Sequence, residues 1–156
     1  MEKPLNVSLT MQAQESRQRR LAGIGFRDLG EGIGEMVECL LIDKDATERR
    51  RVSHLLDDLG LSFAESSAAV DGLKYCNDNF PAVVVMAAST DGMAPSDFIR
   101  QVRRTPRGKK TVVILYAEKP DADEIGLSIL EGAADFIMQP FDRELLHFKL
   151  HQAGVI

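Results

Sequence analysis

The sequence predicts a doubly wound α/β domain, in which helices cover both faces of a parallel sheet. Short apolar runs alternate with segments whose apolar residues recur at helical spacing, and five such pairs follow one another from Glu38 onward. The clearest run, PAVVVMAAST at residues 81–90, is too short for a helix and is apolar through its centre, which is typical of a strand buried on both faces. Strict alternation with short connections favours parallel strands.

Five strands are predicted in this part of the chain, at residues 39–42, 61–64, 81–86, 111–116 and 135–138. For five parallel strands that alternate with helices, the flavodoxin-like order 2-1-3-4-5 is the leading arrangement. The carboxyl ends of the first and third strands then face each other at the switch point, where α/β sheets of this kind bind their ligands. Asp43, Ala87, Tyr116 and the loop after the fifth strand are therefore expected to surround one site.

Each strand is followed by a predicted helix with an apolar stripe. Asp45 is placed to cap the first helix, Ser66 or Ser67 the second, and Asp142 the last. The third and fourth helices are predicted at residues 95–104 and 121–132. The side chains expected to face the sheet are Val52, Leu55, Leu56, Leu59, Val70, Leu73, Cys76, Phe98, Ile99, Val102, Ile125, Ile129, Leu145, Leu146, Phe148 and Leu150.

Composition narrows the class of protein. The 156 residues carry a formal net charge of −5, which argues against a nucleic-acid or anionic-membrane partner. Cys39 and Cys76 lie in apolar surroundings without metal-binding spacing and are predicted to be buried and reduced. The sequence shows neither an apolar run long enough to span a bilayer nor the apolar core of a signal peptide, so we predict a cytoplasmic location.

Residues 1–36 differ in character from the rest and are predicted to form a partly flexible N-terminal extension to a domain at 37–156. Glycines at 23, 25, 30, 32 and 34 resist regular structure. They precede the first strand, so they do not form a dinucleotide-binding loop. An arm that docks on the domain or on a partner is the alternative interpretation.

Several motifs carry a resemblance to a known family. They are the strand that ends at Asp43, the DLG at 58–60, Pro81, the Gly92–Met93 turn, Ala117, and GAADFIMQPF at 132–141. From about Glu38 to Gly154 the chain resembles the receiver domain of bacterial two-component response regulators. The resemblance implies transfer of a phosphoryl group from a phosphohistidine to an aspartate, assisted by Mg²⁺.

Four of the five residues at the matching positions depart from that chemistry, and the first acid is retained as Asp43. The family uses two acids after strand 1, an aspartate that ends strand 3, a hydroxyl residue that ends strand 4 and a lysine before proline after strand 5. This chain has Asp43, Lys44, Ala87, Tyr116 and Gln139 at those places. A methyl group cannot be phosphorylated, so we predict a degenerate (pseudo-) receiver that is not an enzyme and uses neither a metal nor another cofactor.

Three finer expectations concern this degenerate site. Asp43 should accept hydrogen bonds from loop amides or pair with Lys44. Tyr116 and the switch aromatic, Phe136, should both pack inward, which resembles the family's switched-on arrangement. Phosphorylation of a non-standard aspartate, Asp91 or Asp45, is a second alternative function, although each is better interpreted as a turn or capping residue.

Basic residues give the other functional signals. The densest run could contact an anion or nucleotide, and a second cluster on the first helix could contact a partner; a solvated polar surface is the default for both. The candidate contacts are Arg100, Arg103, Arg104, Arg107, Lys109, Lys110, Arg49 and Arg50. Arg51 stands out because it lies close to the apolar stripe. His147 and His151 have zinc-ligand spacing but lack a third ligand.

The resemblance also implies partners. A histidine kinase, a phosphotransfer protein or a downstream effector is expected to bind, and a homodimer through helix 4, strand 5 and helix 5 is a further expectation. Leu127 and Leu130 lie off the inner stripe of helix 4 and could extend that surface. Because the chain ends at Ile156, soon after the last helix, we expect its output to pass through partners or through the N-terminal extension.

Overall fold

A five-stranded parallel sheet forms the centre of the domain. The computed structural model describes residues 38–156, so the predicted N-terminal extension lies outside the described residues and the proposed division at residue 36 stays a prediction. The strands are β1 (Glu38–Ile42), β2 (Ser62–Ser66), β3 (Val83–Ala87), β4 (Val112–Ala117) and β5 (Asp135–Met138). Their order is β2-β1-β3-β4-β5, which confirms the flavodoxin-like arrangement.

Five helices connect and cover the strands. They are α1 (Ala46–Asp58), α2 (Ala69–Asn79), α3 (Pro95–Val102), α4 (Ala122–Glu131) and α5 (Arg143–Gln152). A short 3₁₀ turn, Gly108–Lys110, precedes β4. Within residues 38–156, no helix combines the length and the apolar character needed to cross a bilayer.

Helix caps follow the predicted chemistry at most sites. Asp45 accepts hydrogen bonds from the backbone amides of Thr47 and Glu48 at the start of α1, and Asp142 accepts one from Leu145 at the start of α5. The prediction for α2 is wrong, because its capping position is Ala68, which makes no side-chain bond. Ser66 ends β2 instead, and its hydroxyl bonds to the backbone of Ala68 without reaching the first turn.

The core has two layers, one on each face of the sheet. Val52 and Leu56 of α1 and Leu146 and Leu150 of α5 pack on one face. Side chains of α2 and α3, such as Cys76 and Phe98, pack on the other face. The central strands are buried on both faces, which is why their sequences read as continuous apolar runs. Cys39 and Cys76 are buried and form no disulfide.

Four of the apolar side chains predicted to face the sheet are exposed instead. They are Val70, Ile129, Leu145 and Phe148. Small residues take the inward position where a helix approaches the sheet closely. On α2 the inward position is Gly72, where a Cβ atom would lie 2.4 Å from Cδ1 of Ile42. On α4 the buried residue is Ser128, and on α5 only Leu146 and Leu150 are buried.

Candidate functional site

The carboxyl edge of the sheet holds an open cleft of about 670 Å³. Asp43, Ala87 and Tyr116 line it at the ends of β1, β3 and β4, and Gln139 lines it from the loop after β5. The parallel register brings these ends together, since Ala87 pairs with Tyr116 and Ile42 pairs with Met86. The structure therefore assembles the positions that the sequence predicted for one site.

Both carboxylate oxygens of Asp43 accept hydrogen bonds from the protein. Oδ1 accepts from the backbone amide of Asp45 at 2.9 Å, and Oδ2 accepts from the hydroxyl group of Tyr116 at 2.6 Å. Only 4% of the residue is exposed, and this burial raises the pKa of the carboxyl group above its ordinary value. The expectation that Asp43 accepts a bond from a loop amide is confirmed.

Lys44 does not pair with Asp43, so of the two expected arrangements the structure has the bond to the loop amide. Its ammonium nitrogen lies 3.0 Å from Oδ1 of Asp91, in the loop that follows β3. Both partners are well exposed, so the ion pair itself contributes little to stability.

Tyr116 occupies the strand-4 hydroxyl position with a completely buried side chain. Its ring meets the ring of Phe141 edge-on, with centroids 5.6 Å apart, in the core layer beneath α1 and α5. Burial first, and then the negative charge of Asp43, raise the pKa of the hydroxyl group far above its usual range. The phenol therefore stays protonated and acts as the donor to Asp43.

Gln139 also bonds to an acidic side chain on another segment. Its Nε2 donates to Oε1 of Glu48 on α1 at 2.7 Å, and the same oxygen accepts from Nε of Arg51 at 3.1 Å. Nη1 of Arg51 donates to the backbone oxygen of Phe141, and the guanidinium lies 5.2 Å from the centre of that ring. Sequence reasoning missed Glu48 and Phe141 as parts of this cluster; the arginine beside an apolar stripe was the available signal.

Alanine occupies the end of β3, where the receiver resemblance implies an aspartate. Ala87 ends β3, is buried, and carries only a methyl group. The two aspartates considered as alternative acceptors have bonds of their own: Asp91 pairs with Lys44, and Asp45 caps α1 through the amides of Thr47 and Glu48. The side chain of Asp91 is 84% exposed, on the outer side of its loop.

The side chains around Asp43 do not fit a divalent cation. Mg²⁺ is held by oxygen ligands with near-octahedral geometry, usually one or two carboxylates. Both oxygens of Asp43 already accept hydrogen bonds, and the next residue is the cation Lys44. Between residues 38 and 156, no group of three His, Cys, Asp or Glu side chains is arranged to hold a metal ion. His147 and His151 stack with ring centroids 6.3 Å apart.

Known proteins of similar sequence are response regulators. The chain is 26% identical over 117 residues to the chemotaxis protein CheY of Pseudomonas aeruginosa, a match that covers 74% of this chain and 94% of that protein. It is 25% identical over 115 residues to the transcriptional regulatory protein AfsQ1 of Streptomyces coelicolor, covering 74% of this chain. That match spans only 50% of AfsQ1. No family model matches the sequence.

Solved structures show the same fold. The chemotaxis response regulator CheY4 of Vibrio cholerae superposes with a TM-score of 0.69 at 21% identity, over 76% of this chain and 98% of that one. The receiver domain of a histidine kinase from Pseudomonas aeruginosa, solved with a coordinated magnesium ion, gives a TM-score of 0.68 at 16% identity, over 76% and 98% of the two chains. The relatives and structural neighbours of this chain are thus receiver domains of the CheY type.

Phe136, the predicted switch aromatic, lies on β5 and is half-buried. It packs against the core layer beneath α2 and α3. Tyr116 is fully buried on the opposite face of the sheet, so the two rings do not share a layer. An inward-packed, switched-on arrangement stays a prediction.

The arginines at the end of α3 and after it contact different groups within the domain. Arg103 donates to the backbone oxygens of Gly108 and Thr111 at 2.7 Å and of Gly132 at 2.8 Å, and burial lowers the pKa of its guanidinium group. Arg107 stacks on the ring of Phe80 at 4.2 Å.

Other members of the basic clusters pair with neighbouring side chains or face solvent. Arg100 bonds to Asp97 and lies 3.5 Å from Glu131, and Arg104 bonds to Gln101. Arg49 donates to the backbone oxygen of Asp43 at 2.7 Å and to Glu65 at 3.1 Å. Six basic side chains of these clusters are exposed: Arg50, Arg100, Arg104, Arg107, Lys109 and Lys110. A nucleotide or anion site on this run stays a prediction, to which the geometry adds no support.

Proposed function

We propose that this chain is a receiver-like signalling module that binds other proteins and accepts no phosphoryl group at the usual strand-3 position. One observation carries the proposal: the Tyr116 hydroxyl donates to Asp43 at 2.6 Å, directly beside Ala87. The place of a nucleophile is a methyl group, and the remaining acid is bonded to the protein. The module is therefore neither an enzyme nor dependent on a metal.

The replaced residues hold the site together in place of phosphate control. Lys44 bonds to Asp91, Tyr116 bonds to Asp43, and Gln139 bonds to Glu48. These three bonds join the ends of β1 and β4, the loops after β3 and β5, and α1. Since these are the segments around the cleft, we infer that the domain keeps one arrangement of them whether or not a kinase is active.

The contact surface for partners is the end of the molecule formed by α4, β5 and α5. The exposed apolar side chains there are Leu127, Ile129, Leu130, Met138, Leu145 and Phe148. Large apolar side chains that are exposed together on adjoining elements favour an interaction site. We propose that a histidine kinase, a phosphotransfer protein or an effector binds here, or a second copy of the chain; the relatives named for chemotaxis and transcriptional regulation are consistent with such signalling.

Phosphotransfer is tested by incubating the full chain with acetyl phosphate and Mg²⁺ and measuring its intact mass. We expect no phosphoryl adduct. The positive control is the same chain with K44D, A87D, Y116T and Q139K together, with folding checked by circular dichroism. An adduct on the unaltered chain would contradict the proposal, and its position, Asp91 or Asp45, would establish the alternative acceptor.

Partner binding is tested with two variants matched for exposure. Phe148 on α5 and Val70 on α2 are both 56% exposed, and the two helices pack on opposite faces of the sheet. Phe148→Glu should abolish capture of partners by the tagged full chain from its native cell, and Val70→Glu should leave it intact. Equal capture by the two variants would place the contact surface elsewhere.

A further inference from the structure

Helix α4 has an inverted distribution of polar and apolar residues. Its one buried residue is the polar Ser128, whereas Leu127, Ile129 and Leu130 are exposed to 51%, 53% and 83%. Gly126, in the middle of the helix, has open space around the position of a Cβ atom. A helix with this pattern presents its apolar side outward, where a further segment can cover it.

Helix α4 is also acidic, and within the described residues only Glu131 among its acids lies near an arginine, 3.5 Å from Arg100. The capping residue and the helix together contain Asp121, Asp123, Glu124 and Glu131, and no lysine or arginine. The segment that covers this helix should therefore combine positive charge with apolar side chains.

We propose that residues 17–29 of this chain, RQRRLAGIGFRDL, dock on the outer side of α4. The segment carries four arginines and one aspartate, and four large apolar residues follow its first arginines. The four apolar residues are Leu21, Ile24, Phe26 and Leu29. Its composition thus complements both the acidic and the apolar character of α4, and the glycines at 23 and 25 permit close approach to a helix surface.

The chain length permits this contact within one molecule. Residues 29 and 38 are nine positions apart, and an extended chain advances about 3.3 Å per residue, which gives a reach of about 30 Å. β1 and β5 are separated by two strands, or about 14 Å, and a helix layer adds about 10 Å. The carboxyl end of α4 leads into β5, which starts at the same sheet edge as β1, so residues 127–130 lie on the reachable side.

This inference rests on the proposed function and describes how partner binding at α4, β5 and α5 would be regulated. A docked segment would occupy part of the surface formed by α4, β5 and α5, so a partner must displace it. The N-terminal residues would then act as an internal competitor in a domain without phosphate control. The phosphotransfer experiment does not depend on this contact, so either proposal can fail without the other.

The contact is tested by paramagnetic relaxation in the full-length, isotope-labelled chain. Leu130→Cys accepts a nitroxide label at an exposed site, whereas Cys39 and Cys76 are buried and stay unlabelled. We expect the amide signals of residues 17–29 to lose at least half of their intensity. The matched control is Val70→Cys on α2, 56% exposed, which should leave those signals unchanged.

A second experiment distinguishes docking within one molecule from docking between two molecules. In the first sample, nitroxide-labelled Leu130→Cys chains without isotope enrichment are mixed with isotope-enriched chains without the label. In the second sample, Arg17, Arg19 and Arg20 are replaced by glutamate in the labelled, isotope-enriched Leu130→Cys chain. Docking in cis predicts no intensity loss in the mixed sample and a clear reduction of the effect in the charge-reversed chain. Loss in the mixed sample would show that a second copy covers α4, and equal signals with both labels would show that the helix is uncovered; either result overturns the proposal.

Discussion

Tyr116 brings a hydroxyl group to Asp43 from within the protein, at the position where the receiver resemblance implies a contact to a phosphoryl oxygen. The bond joins β1 to β4, strands that are not neighbours in the sheet, across the end of β3. Ala87 makes this possible, because its methyl group leaves the space between the two strands free of a competing side chain.

Replacing Tyr116 by phenylalanine should destabilise the domain by about 1–3 kcal/mol, because Oδ2 of Asp43 then loses its donor while it stays buried. Urea denaturation of both proteins measures the free energy of unfolding, and the slopes of the two transitions are compared to show that the proteins unfold in the same way. The matched control is Tyr75→Phe, which removes the same atom from a bond to Glu38 at 2.8 Å, away from the cleft. A loss at position 116 no larger than the loss at position 75 would contradict the assigned role.

Asp43→Asn should change how stability depends on pH. Burial raises the pKa of Asp43 in the folded state, so ionisation is easier in the unfolded chain, and the stability of the unaltered protein falls as pH rises from about 3.8 through the folded pKa. Asparagine removes this component and can still accept from the Asp45 amide and donate to the Tyr116 oxygen. The stability of the variant relative to the original should therefore increase over that interval, as measured by denaturation from about pH 4 to pH 7; a constant difference would exclude the shift.

At the scale of helices and strands, the order of elements could be read from the sequence because strands buried on both faces leave long apolar runs. The inward faces of the helices were harder to predict. Val70 and Ile129 match a helical stripe, yet Gly72 and Ser128 face the sheet, since close packing favours small side chains where a helix approaches a strand. Local periodicity contains no information on that distance.

At the site, too, features set by the local sequence could be predicted, whereas contacts between distant segments could not. Asp43, Ala87 and Tyr116 were predicted because each follows a strand, and strand ends converge. The bonds from Gln139 to Glu48 and from Lys44 to Asp91 could not be predicted, since the bonded residues are 91 and 47 positions apart in the sequence.

Gly126→Ala should stabilise α4, and the protein with it, by about 0.5–1 kcal/mol, because glycine is a poor helix former and its Cβ position is open. Thermal unfolding measures the change. The contrasting variant is Gly132→Ala: Gly132 ends the same helix with a φ of 117°, and a Cβ there would lie 2.9 Å from Nε of Arg103. That replacement should destabilise the domain, and a similar sign for both variants would refute this description of α4.

For the molecule as a whole, the three cross-loop bonds predict that the domain does not respond to the metal used by active receivers. Mg²⁺ should leave the melting temperature unchanged, because Asp43 has no free oxygen and Lys44 opposes a cation. A ligand that binds only the folded state adds about 2.7 kcal/mol at one hundred times its dissociation constant, so specific binding would be seen as a concentration-dependent rise. Such a rise with Mg²⁺, and none with K⁺ at equal ionic strength, would contradict the proposed site.

The pairing of Ala87 with Tyr116 in the sheet has a consequence for installing an acceptor at this position. Replacing Ala87 by aspartate would set a second carboxylate close to Asp43, where Lys44 already bonds to Asp91 and Tyr116 still fills the space. The single replacement should therefore not suffice for phosphotransfer, and the changes at Lys44, Tyr116 and Gln139 are needed together with it.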